Sequence, residues 1–95
     1  MIEDMFNKRW LLKVEQSNNF KDLRPIAGFV KELLSWENSH KYIMMIQNEL
    51  YSRRIIPFKI NSINDLDKCN SLETPLDLLI EYICLSFKIR DKKDI

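Results

Sequence analysis

Glycine is almost missing from this chain of 95 residues, with Gly28 standing alone. That scarcity excludes whole classes of function. Phosphate cradles of the GxGxxG or GxxxxGK[ST] kind need several glycines to bring backbone close to the ligand. Chains built on β-hairpins need Gly or Asn-Gly at their turns, and no Asn-Gly occurs here. Proline is also sparse, at three residues. Low Gly and Pro with abundant Leu, Ile and Met point to helices.

Reactive groups are equally few. His40 is the only histidine, and Cys69 and Cys84 are the only thiols. Two cysteines outside any CxxC pair give neither a disulfide framework nor a zinc site. HExxH and EF-hand patterns are missing, so no metal or cofactor is expected. An RxxxxH pair would need Arg where Ser35 stands. His40 could serve either thiol as a base only by tertiary coincidence. It reads instead as a partly solvated residue at a helix start, and Cys84 as a small core residue. Asp77 and Glu81 stand one helical turn apart, a spacing that fits either acid–base work in a cleft or a solvated helix face. Nothing accompanies them to favour the cleft, so no catalytic residue is assigned and no enzyme is expected.

Long apolar runs are missing too, so nothing spans a membrane. Met1-Ile2-Glu3-Asp4 is acidic where a secretory leader would be basic, which suggests the cytoplasm. Net charge is +1, from 15 basic and 14 acidic side chains. Direct nucleic-acid binding usually shows as a strongly basic domain. Helices over 25–37 and 40–53 resemble a helix-turn-helix in order alone. Lys41, Arg53 and Arg54 are too few for phosphate contacts beside Glu37 and Glu49.

What remains is periodicity. The length allows one domain, 1–95, with a radius of gyration of roughly 12–13 Å and a stability of about 5–14 kcal/mol. Ile2, Met5, Phe6, Trp10 and Val14 place one apolar stripe on a first helix to about Gln16. Ser17-Asn18-Asn19 reads as its stop. Pro25 suits the first position of a second helix, whose Ile26, Phe29, Val30, Leu33 and Leu34 keep a strong amphipathic period to about Trp36 or Glu37. Close approach of a neighbouring helix would explain Gly28 inside it. Asn38-Ser39 offers caps for a third helix. Residues 55–60, IIPFKI, are the one stretch with extended character, limited to an edge by Pro57. Ser62 caps a short helix over 63–68. Thr74-Pro75-Leu76-Asp77 opens the last helix, carried by Leu76, Leu79, Ile80, Ile83 and Phe87 to about Ile89, with a frayed charged tail from about residue 90. The expected fold is all-α, a small four- to five-helix bundle-like domain.

Two surfaces are candidates for a protein partner. Between residues 65 and 81 stand Asp65, Asp67, Glu73, Asp77 and Glu81 against Lys68 alone, a local charge of −4. Such a stretch either steers a basic partner or keeps the chain in solution. Between residues 88 and 93, four bases face one acid, a charge of +3. Trp36, Tyr42 and Tyr51 form an aromatic candidate, aromatics being enriched at binding hot spots. The same residue types also build cores, which is the reading taken for Trp10. Short helical chains without catalytic groups are the sort encoded beside bacterial toxins or by mobile elements. The expectation is therefore a non-enzymatic inhibitor, an immunity or antitoxin protein that occludes the active site of a cognate nuclease-like toxin. The alternative is a phage- or plasmid-encoded anti-defence or transcription-modulating protein acting on a host factor. A homodimer is a further option.

Overall fold

A computed structural model describes residues 1–93 as five helices. They are α1 (Ile2–Gln16), α2 (Arg24–Leu33), α3 (Ser39–Ser52), a 3₁₀ helix (Ile63–Ser71) and α4 (Thr74–Lys93). No strand occurs among the described residues, and the all-α class stands. α2 is the hub, packed against α1, α3 and α4. Its Ile26, Phe29, Val30 and Leu33 are all buried, as the amphipathic spacing requires. Tyr42, Ile43, Ile46 and Leu50 of α3 meet Leu79, Ile80, Ile83 and Phe87 of α4 in the same core. The molecule is flat, 39 × 38 × 19 Å, with a radius of gyration of 12.6 Å. Two helix diameters of roughly 10 Å fill the short dimension. A two-layer disc leaves α1 and α4 each with a face turned from the core.

The chain reverses where the sequence places polar stops. Ser17 is buried, donates its hydroxyl to the Val14 carbonyl (2.7 Å) and accepts the Phe20 N–H (3.0 Å). Asn18, Asn19 and Phe20 then take left-handed φ of 54°, 58° and 71°. Asn tolerates that region and Phe does not. The Phe20 ring contacts the tilted Trp10 ring (6.1 Å) and lies under the Arg53 guanidinium (4.8 Å). α3 ends in a Schellman motif: Ile55 N–H reaches the Leu50 carbonyl (2.9 Å), Arg54 N–H the Tyr51 carbonyl (3.0 Å). Arg54, with φ 61°, fills the site that usually takes Gly. Ser62 and Asp65 close a capping box on the 3₁₀ helix.

Several sequence expectations change. α2 stops at Leu33, and turns carry the chain from there through Trp36. Pro25 sits at its second position, one later than expected. Asn38 precedes α3 in a left-handed conformation (φ 59°) and makes no side-chain cap. Residues 55–58 form bends and 59–60 are irregular instead of a strand, and at Ile60 the Gln47 side chain supplies what a neighbouring strand would. Its amide donates to the Ile60 carbonyl (3.1 Å) and accepts the Ile60 N–H (3.0 Å). α4 runs on through Lys93, where Arg90 lies over Phe87 (5.1 Å) and reaches His40. Cations there also suit the helix C-terminus. Residues 94 and 95 of the expected frayed tail lie outside the described residues.

Gly28 is the clearest correction. It is exposed, and a Cβ built on it meets nothing within 4 Å. No helix approaches it closely, so its cost to α2 is uncompensated. Gly28→Ala should therefore stabilise the fold by about 0.5–1 kcal/mol. Urea denaturation would read this as a higher midpoint at unchanged slope, and a lower midpoint would refute it.

Candidate interaction surface

The chemistry-bearing residues are occupied in the structure. His40, on the first turn of α3, points its Nδ1 at the Ser86 hydroxyl (3.2 Å). That hydroxyl gives its own proton to the Ile83 carbonyl (2.7 Å), so His40 is the donor of the pair. Its Nε2 then accepts from Arg90 (3.4 Å), and its ring stands edge-on to Phe87 (4.6 Å). Burial first, and the Arg90 charge second, hold the His40 pKa below its ordinary value. The imidazole is a neutral strut between α3 and α4. Both thiols are buried. Burial pushes Cys84 up to about 12. It also raises Cys69, to which the Asp77 and Glu81 carboxylates add. Neither thiol is an ionised nucleophile at neutral pH. No cluster of three metal-ligating side chains occurs among the described residues.

The acidic residues gather where the 3₁₀ helix docks along α4. Their environments differ. Asp65 is used internally. Its carboxylate accepts the Asn61 (2.7 Å) and Ser62 (3.3 Å) N–H groups and lies 3.3 Å from Lys68. The Asn61 hydrogen bond is the main cause of its lowered pKa. Asp67, Glu73 and Glu81 are exposed. Asp77 is half-buried, with one carboxylate oxygen sealed from water and unbonded among the described residues. None of these four carboxylates has an ion-pair partner among the described residues. Elsewhere Asp22, Glu32, Glu49 and Asp91 are each paired, while Glu3, Asp4, Glu15 and Glu37, spread over α1 and the turn before α3, have no ion pair among the described residues.

The aromatic candidates do not converge. Tyr42 is a core residue, 5% exposed, packed on Phe6 (4.8 Å). Trp36 is half-buried and meets Tyr42 edge-on at 6.2 Å. Tyr51 is exposed near the far end of α3, with Lys59 over its ring (5.3 Å). What the structure adds is α1. Of the expected stripe, Phe6 and Trp10 are buried and Val14 half-buried, but Ile2 and Met5 face outward. Leu11 and Leu12 are exposed as well. Ile2 and Met5 line a shallow apolar cleft with Trp36 and Glu37. No described helix is long and apolar enough to cross a membrane.

Comparison with known proteins finds no matching family model, no similar curated protein and no similar solved structure.

Proposed function

We propose that the chain acts by covering another protein: an immunity- or antitoxin-type inhibitor that occludes the basic active site of a cognate nuclease-like toxin. One observation carries this reading. The carboxylates of Asp67, Glu73, Asp77 and Glu81 lie on or between the packed 3₁₀ helix and α4 without ion-pair partners among the described residues. Charge left unpaired at close range repels itself, and a basic partner relieves that while gaining a faster encounter. A preformed helical surface needs little reordering to bury the roughly 1,200–2,000 Å² of a standard interface. In this reading the protein works in the cytoplasm, where its thiols stay reduced, and uses no cofactor.

The test is a complex with the product of the neighbouring gene. Asp67→Lys with Glu73→Lys changes two exposed side chains and should weaken binding about 10- to 100-fold. Binding should also fall steeply with added salt. No complex, or a complex indifferent to both changes, refutes the reading.

The cleft of Ile2, Met5 and Trp36 favours a second reading. An anti-defence or transcription-modulating protein would bury the outward face of α1 on a host factor, large exposed apolar patches being typical of such sites. There Trp36→Ala abolishes binding, while the double charge reversal leaves it intact.

A further inference from the structure

We propose that α4 carries a second interface, pairing antiparallel with α4 of another copy of this chain across a twofold axis. The core takes Leu79, Ile80, Ile83, Cys84 and Phe87 from one side of the helix. Leu78, Tyr82, Leu85 and Ile89 recur on the other side at spacings of four, three and four, the seam of a coiled coil, with Tyr82 at its margin, packed partly against the core and with Lys31 over its ring (6.0 Å). Leu78 is 40% exposed, and the other three are half-buried. A helix that is apolar on both sides normally has a partner on both sides.

Charge selects the partner and its direction. The N-terminal half of α4 is acidic and its C-terminal half basic. A parallel pair would lay acid on acid and base on base. An antiparallel pair lays each half on its complement, so the surface is complementary to itself, as a twofold contact demands. With the axis beside residues 83–84, Leu78 meets Ile89 of the second copy and Tyr82 meets Leu85. Glu81 and Lys88, both exposed, flank one edge of the seam seven residues apart. The antiparallel register sets each Glu81 against the other copy's Lys88, twice by symmetry. The seam spans roughly 17 Å at 1.5 Å per residue. It therefore falls at the small end of specific interfaces, under about 1,200 Å², and gives a weak, concentration-dependent dimer. Glu81 belongs to both surfaces, but Asp67 and Glu73 lie outside the seam, so the Asp67→Lys, Glu73→Lys test of the inhibitor reading leaves this inference untouched and the two can fail separately.

Sedimentation equilibrium of the full chain tests it. Apparent mass should climb from 11.5 kDa towards twice that value as concentration rises. Leu85→Glu should hold it at the monomer value. Lys88→Glu, at an exposed site that leaves the core alone, should weaken association about tenfold by turning two attractive pairs repulsive. Adding Glu81→Lys to Lys88→Glu should restore it, because the swapped charges again complement. A chain monomeric at every concentration overturns the proposal. So does a dimer that ignores Leu85→Glu, or a double variant no tighter than Lys88→Glu alone.

Discussion

Gln47→Ala is expected to cost the fold about 3–5 kcal/mol, although it removes a polar side chain from a helix. Gln47 is 3% exposed, and its amide takes both backbone groups of Ile60, itself buried. Truncation strands a buried N–H and a buried carbonyl at about 1–3 kcal/mol each and leaves a cavity the size of the lost amide. Ile56 and Ile60, which plug the core on either side of Pro57, depend on that anchorage. Two further substitutions separate the causes. Gln47→Leu refills the volume without the hydrogen bonds, so it should recover only the cavity share. Gln47→Glu keeps an acceptor for the Ile60 N–H but offers the carbonyl no donor unless protonated. Its carboxyl should be held above the ordinary range by burial, so the variant should gain stability as pH falls through that raised value. Chemical denaturation measures all three. A loss under about 1 kcal/mol for Gln47→Ala would mean that residues 55–60 are held by their apolar contacts alone.

Gln47 also shows where sequence reasoning stops. A lone Gln on an otherwise amphipathic helix looks like a solvated position, and only the return of the chain at Ile60 buries it. Residues 55–60 seemed extended for a related reason. Their β-branched side chains and Pro57 exclude a helix, but the choice between a strand and an irregular segment depends on which groups meet their backbone. Other features are legible in the sequence itself. Ser62 and Asp65 stand three apart, so their capping box could be read directly, and with it the withdrawal of Asp65 from the free acidic charge. Tyr42 and Tyr51 lie nine residues apart on one helix. That is two and a half turns and puts them on opposite faces. The helices themselves were legible because α2, α3 and the core side of α4 keep one strong period. α1 misled because Ile2, Met5, Leu11 and Leu12 add apolar residues all round, and periodicity alone does not say which side has company.

That ambiguity bears on which residue holds α1 in place, and Phe6 answers it. Phe6→Ala should cost about 3–5 kcal/mol, the range for a buried Phe emptied to a methyl group. The Phe6 ring, 2% exposed, lies 5.9 Å from Phe29 of α2 and 4.8 Å from Tyr42 of α3, so one side chain ties three helices together. Each aromatic pair adds about 0.5–1.5 kcal/mol beyond the area it buries. Little else can compensate. The Arg9–Glu32 pair (2.6 Å) is solvent-exposed on both sides and contributes at most about 1 kcal/mol. Trp10 packs mainly at the α1–α2 turn against Phe20. The loss should be local before it is global, because α1 packs chiefly on α2, whereas α2, α3 and α4 also pack on one another. Native-state hydrogen exchange should show the α1 amides opening as one unit at far lower free energy than those of α2 and α4. If α1 stays as protected as α4 in Phe6→Ala, its outward apolar face is not on a weakly held element. Ile2 and Met5 would then be fixed beside Trp36 and Glu37 by contacts other than this ring.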